Sequence, residues 1–195
     1  MALELPANVR GALTAWARAA ADELTQLRPI RRESLHVTLC FLGARPVTSI
    51  DAIAAAIGSG VSVGAPPRPL PAPLLTLGEP LWLPPRRPRV LAVELVEVGE
   101  GGALARLQAA VAGALVAANL YEPEARPFLG HVTVARVASH RGGEVAGPRP
   151  RMRTPSVPAP RWPPPFACPN VTLYRSRLGS GPARYEPLAT VVLTC

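Results

Sequence analysis

The sequence predicts an α+β protein made of two related lobes, and three observations carry that reading. First, Leu35-His36-Val37-Thr38-Leu39 and Gly130-His131-Val132-Thr133-Val134 share a His-Val-Thr tripeptide followed by an aliphatic residue, 95 positions apart in a chain of 195 residues. Second, a long amphipathic helical pattern precedes each copy. Third, short β-rich runs bounded by Gly and Pro occupy much of the remaining chain. A repeat this long, present twice, describes two lobes and not a solenoid.

The elements follow in order. Residues 2–5 read as a short strand, and Pro6 suits the first turn of a helix. Val9, Leu13, Trp16, Ala20, Leu24 and Leu27 recur at spacings of three and four, which predicts one helix face running to Leu27, stopped by Pro29. Leu35–Leu42 reads as a strand closed by Gly43. Thr48-Ser49-Ile50-Asp51 caps a short helix reaching Ile57. Residues 58–72 are a Gly/Pro-rich loop. Strands are expected over Leu74–Leu77 and Val90–Val98, then a helix from Gly101-Gly102 to about Asn119 with Leu104, Leu107, Val111 and Leu115 on one face. His131–Val137 is the next strand. Residues 141–165, rich in Pro and Arg, form a loop or extended segment. Val171–Tyr174 and Leu188–Leu193 close the chain as a strand pair.

The composition narrows the function classes. Apolar residues make up 48% and charged residues 17%, which is not the composition of a disordered chain. A chain of this length buries about 70% of its unfolded surface and needs no disulfide or metal staple. No run of 18 apolar residues exists, so no membrane span or membrane partner is expected, and the first residues lack a secretory pattern. Cys40, Cys168 and Cys195 are odd in number and far apart. A disulfide framework or Cys-rich zinc site is not expected, and a reducing cytoplasm is. All 21 basic side chains are Arg, and the net charge is +8. Residues 1–124 are electrically neutral; residues 125–195 carry the whole excess. Guanidinium groups favour phosphate-bearing partners, although a chain rich in Ala, Arg, Pro and Gly also reflects a GC-rich genome.

Chemistry enters with the repeated tripeptide. Residues two apart on a strand share a face, so His36 stands beside Thr38 and His131 beside Thr133, each pair backed by aliphatic residues. An imidazole titrates near neutrality, so of two facing imidazoles one can act as base and the other as acid. Phosphoester cleavage requires both roles, and threonine hydroxyls can donate to the non-bridging phosphate oxygens. The scheme calls for no metal and no cofactor. Two of only three histidines fall in matched contexts, which favours a paired site over two ordinary strand histidines. Cys40 shares the face of His36 and Thr38, but no ligand spacing makes it a metal site, and a small buried thiol is expected. His140 is expected at the surface, Trp16 in the helix core, and Trp82 in core or loop packing in preference to a base-stacking platform. Arg149, Arg151, Arg153 and Arg161 suit either an RNA-backbone track or a solvated loop.

The two H-x-T-aliphatic motifs resemble those of the two-histidine (2H) phosphoesterase superfamily. Leu35–Gly43, Pro127-Phe128 with His131–Arg136, Pro88–Leu91, and Val171–Gly179 with Tyr185 and Leu188 resemble its bacterial RNA 2′,3′-cyclic phosphodiesterase (2′-5′ RNA ligase-like) branch over nearly the whole chain. The resemblance implies one bilobal domain over 1–195, with pseudo-twofold-related lobes of antiparallel sheet, helices outside and a central cleft. It implies hydrolysis of 2′,3′-cyclic phosphate RNA ends or nucleotides to 2′-phosphates, by a cytoplasmic monomer. It places catalytic histidines on His36 and His131, phosphate-orienting threonines on Thr38 and Thr133, and a phosphate-binding arginine on Arg136, with His36 as acid and His131 as base. Strict alternation puts Arg136 on the face opposite His131, so its role requires the strand to end or bulge after Thr133. Two departures stand out: the first strand lacks the family's preceding Arg and aromatic, and the basic, Pro-rich 148–165 stretch replaces a helix. The competing functions are a non-catalytic RNA-binding protein using the basic C-terminal third, and the same chemistry on ADP-ribose cyclic phosphate or 2′-5′ oligonucleotides.

Overall fold

A computed structural model describes residues 1–63, 68–99, 101–138, 155–177 and 183–194. The chain runs through β1 (Ala2–Glu4), α1 (Ala7–Glu23), β2 (Leu27–Pro29), a 3₁₀ turn at Arg32–Ser34, β3 (His36–Thr38) and a 3₁₀ turn at Val47–Ser49. It continues through α2 (Ile50–Gly60), β4 (Ser62–Val63), β5 (Arg68–Pro69), β6 (Leu74–Leu83) and β7 (Val90–Glu97). Then follow α3 (Ala103–Ala117), β8 (His131–Val137), β9 (Phe166–Ala167), β10 (Asn170–Arg177) and β11 (Arg184–Val192).

The fold is α+β with an antiparallel main sheet. Its strands run in the order β11-β10-β1-β3-β8-β7-β6-β9, with β2 also paired to β8. The order divides into halves of four strands, β11-β10-β1-β3 and β8-β7-β6-β9, so the two repeated motifs meet where the halves join. The join between β3 and β8 is the pair Val37↔Val132. Leu3, Val37, Leu91, Val93 and Val132 are fully buried on one face of the sheet, in the same core cluster as Val9 and Leu13 of α1 and Leu107, Val111 and Leu115 of α3. Each such side chain contributes about 1.5–3 kcal/mol through burial. Helices α2 and α3 approach so closely at Gly60 that a Cβ there would lie 2.9 Å from the Ala110 carbonyl oxygen.

Several boundaries differ from those the sequence predicts. The first helix ends at Glu23, and Leu27 instead opens β2, paired with Val137. Pro29 explains this: it excludes helical backbone at the preceding residue, while a strand buries Leu27 in the same core. The strand expected over Leu35–Leu42 stops at Thr38, because the Leu39 and Cys40 amides turn to the Met1 carbonyl. α2 extends to Gly60, inside the expected loop, and β6 runs on to Leu83. The last strand begins at Arg184, ahead of Leu188.

Of the predicted loop 141–165, residues 141–154 lie outside the described residues, as do His140, Arg149, Arg151 and Arg153. Residues 155–165 contain no helix or strand and cross the body as a strap held by indoles. Trp16 donates its Nε1–H to the Pro158 carbonyl at 2.9 Å, and Trp82 donates to Pro155 at 3.2 Å. Trp162, within the strap, donates to the Gly78 carbonyl at 2.8 Å and packs edge-on against Trp16 with centroids 5.4 Å apart. Trp82 is therefore a buried core residue. Replacing Trp162 with Phe keeps a ring against Trp16 but leaves the Gly78 carbonyl without its donor. The expected cost is about 1 kcal/mol, measured by chemical denaturation.

Candidate active site

The pair Val37↔Val132 fixes the geometry where the halves meet. Both valines are fully buried, so their neighbours His36, Thr38, His131 and Thr133 project from the opposite face. Extending that register across antiparallel strands sets Thr133 opposite His36 and His131 opposite Thr38. The two histidines are then diagonal neighbours, about 7–8 Å apart on the usual cross-strand spacing. All four predicted His and Thr positions thus fall on one face at the junction.

The flanking strands repeat the arrangement. On β1, Glu4 pairs with His36 and Ala2 with Thr38; on β7, Glu94 pairs with His131 and Ala92 with Thr133. An Ala-aliphatic-Glu strand therefore accompanies each His-Val-Thr strand, and a small alanine beside each threonine keeps the surface low there. Ala2-Leu3-Glu4 and Ala92-Val93-Glu94 are visible in the sequence, but three common residues signal nothing until the sheet pairs them with the motifs.

The two imidazoles are held alike. His36 Nδ1 lies 2.8 Å from the Ser34 carbonyl oxygen, and His131 Nδ1 lies 2.8 Å from the Leu129 carbonyl oxygen. A carbonyl only accepts, so each Nδ1 carries the proton and donates it. Each Nε2 is then left as the reactive nitrogen. Behind His131, Gly130 admits helix α3: a Cβ there would lie 2.7 Å from Leu104 Cδ2.

Their surroundings differ. The Tyr185 ring meets His36 edge-on with centroids 4.8 Å apart, and Tyr174 stacks on it at 6.1 Å. Tyr174 is fixed by its hydroxyl, which donates to Glu4 Oε1 at 2.7 Å; Thr172 Oγ1 donates to the same oxygen at 3.3 Å. Burial pushes the Tyr174 phenol up, and the bond to Glu4 raises it further, so it stays a protonated donor. Burial also pushes the His36 imidazole below its ordinary value of 6.5, against the opposing pull of the Ser34 carbonyl, and His131 adds to the lowering. A depressed folded-state pKa stabilises the fold fully above 6.5, and that contribution is lost as pH falls through the folded value. Wild type should therefore lose stability below pH 6.5 more steeply than His36→Gln, as measured by urea titrations at stepped pH.

Arg136 meets the condition set by its spacing. The ladder between β7 and β8 pairs Ala92 with Thr133 but Leu91 with Ala135, so Val134 is an extra residue on β8. Val134 and Ala135 are both buried. This bulge shifts the alternation by one, and Arg136, paired with Val90, joins His131 and Thr133 on their face. Cys40 is a buried free thiol. Among the described residues, no group of three or more His, Cys, Asp or Glu side chains is placed to hold a metal ion, and no helix is long and apolar enough to cross a membrane.

Comparison with known proteins places this geometry. Residues 3–71, which include the first motif, match the model of the LigT-like phosphoesterases. The RNA 2′,3′-cyclic phosphodiesterase of Escherichia coli K12 is 28% identical over 99% of this chain and 94% of its own length. The chain is similar to the LigT-like phosphoesterases in sequence and in fold. Solved LigT structures share the fold along their whole length: E. coli LigT complexed with 3′-AMP superposes with a TM-score of 0.72 at 26% identity, covering 100% of this chain and 96% of that one. A protein from Thermus thermophilus gives 0.72 at 25% identity, covering 98% and 95%.

Proposed function

We propose that the protein hydrolyses 2′,3′-cyclic phosphates at RNA ends or on nucleotides to 2′-phosphates, by acid–base catalysis between His36 and His131. The observation that carries this reading is the junction of the two half-sheets, where both His-Val-Thr motifs present an imidazole with a free Nε2 and a hydroxyl to one face. The E. coli relative's name and the 3′-AMP complex of E. coli LigT support the same substrate class.

In the proposed reaction, His131 Nε2 takes a proton from water as its oxygen attacks phosphorus. The bond from phosphorus to the 3′ oxygen breaks, its electron pair stays on that oxygen, and His36 Nε2–H supplies the proton. The products are a 2′-phosphate and a free 3′-hydroxyl. Thr38, Thr133 and Arg136 would hold the non-bridging oxygens. The lowered pKa of His36 suits the acid, because an imidazolium that holds its proton weakly donates it readily to a developing alkoxide. The phosphate's negative charge, once bound beside it, favours the protonated form.

The test follows a 2′,3′-cyclic mononucleotide by phosphorus NMR in the presence of EDTA. Conversion to the 2′-phosphate is expected. An intact cyclic phosphate, or salt-sensitive RNA binding that survives loss of both histidines without any turnover, would overturn the assignment in favour of a binding protein.

A further inference from the structure

Beyond the four motif residues, the same sheet face continues into a pair of arginines. Strand β2 lies against the last part of β8 and pairs Arg28 directly with Arg136. Because the Val134 bulge brings Arg136 onto the site face, its cross-strand partner Arg28 stands on that face as well. Three successive rows thus cross the junction: Thr38 with His131, His36 with Thr133, and Arg28 with Arg136. The arginine row lies two ladder steps beyond Thr133, about 7 Å at the rise of a strand.

Like charges directly opposite one another on a sheet repel, and neither guanidinium here has a carboxylate within salt-bridge distance among the described residues. Arg28 Nη1 donates to the Thr25 and Leu27 carbonyls at 2.7 and 3.1 Å. Those bonds hold the side chain at the strand end and commit only one of its three nitrogens. The face has a direction too. Residues following β3 and preceding β8 lie at the opposite end, and there Phe41 and Leu129 are exposed apolar side chains. A polyanion that leaves the site over the arginine row gains charge complementarity there.

We infer that Arg28, next to Arg136 and beyond the reacting phosphate, forms a second phosphate subsite, which takes the phosphodiester preceding the terminal cyclic phosphate. The preferred substrate class is then the 3′ end of an oligoribonucleotide, not a mononucleotide. This rests on the cyclic-phosphate reading above and adds to it a residue, a subsite and a polarity. A guanidinium suits the non-bridging oxygens of a phosphodiester, and such a contact adds a counter-ion-release component to binding.

The experiment compares kcat/KM on a short oligoribonucleotide ending in a 2′,3′-cyclic phosphate, on the corresponding cyclic mononucleotide and on ADP-ribose cyclic phosphate. In parallel, fluorescence anisotropy follows binding of a labelled oligoribonucleotide ending in a 2′-phosphate across a salt series. The oligonucleotide should exceed the mononucleotide by about tenfold or more. Arg28→Ala should erase most of that preference and reduce the salt slope of oligonucleotide binding by about 0.7. Arg28→Lys should recover part of both, and Arg18→Ala, on the exposed side of α1, neither. An Arg28→Ala variant that keeps the wild-type preference and salt slope overturns the subsite. So does an Arg28-dependent preference for ADP-ribose cyclic phosphate over RNA. If wild type turns over none of the three substrates, the hydrolytic reading fails, and the anisotropy series alone decides the subsite.

Discussion

His36→Ala and His131→Ala are each expected to lower turnover of a 2′,3′-cyclic phosphate by about 10²–10⁴-fold, the range for removing a positioned general acid or base. Both rings project from a sheet face opposite fully buried valines, so truncation leaves the core packing in place and the loss should lie in chemistry. The two variants should differ in pH dependence. His36 has a pKa pushed down by burial, and if it is the acid, His36→Ala should remove the limb of the kcat/KM profile that reports its titration below 6.5. His131→Ala should keep that limb. The double variant should be little worse than either single one, since acid and base act on one transition state. Two active single variants, measured on steady-state turnover with folding confirmed by circular dichroism, would remove the paired histidines from the mechanism.

The sequence made half of this site legible, for a physical reason. Histidine is scarce in this chain, so the recurrence of His36-Val37-Thr38 as His131-Val132-Thr133 carries information, and strand alternation alone puts each histidine beside its threonine. The other half depends on pairing between strands distant in sequence. The Glu4–Tyr174 bond joins residues 170 positions apart, and nothing local marks Tyr174 and Tyr185 as the enclosure of His36. Arg136 shows the boundary most clearly. Its spacing from His131 gives the wrong face until Val134 is squeezed out of the ladder, and whether a strand bulges is settled by its neighbour's register. Arg28 was hidden by a helical periodicity that carried through Leu27, where Pro29 and the pairing with β8 impose a strand. Helix cores read well because their period is internal; β2 and β3, three residues each, take their form from partners elsewhere in the chain.

Thr133→Val and Thr38→Val should both reduce kcat, and the size of each loss reports where charge accumulates on the phosphate. Valine keeps the branched shape a strand favours and removes only the hydroxyl, so the fold should tolerate it. A donor aimed at an oxygen that gains charge in the transition state contributes about 10²–10³-fold to kcat. Thr133 should sit at the upper end of that range and Thr38 lower. Thr133 is half-buried within its strand, while Thr38 is exposed at the end of its own, and a hydrogen bond is electrostatically stronger away from water. KM should change much less than kcat, because the hydroxyls bind the charge that develops during attack more tightly than the charge already present in the ground state. Arg28 should behave differently: a residue holding a phosphodiester that does not react should act through kcat/KM on oligonucleotides and in a salt-dependent way. If the threonine variants instead raise KM tenfold at constant kcat, their hydroxyls bind ground state and transition state equally, and the His-Val-Thr repeat contributes its histidines to catalysis and its threonines only to affinity.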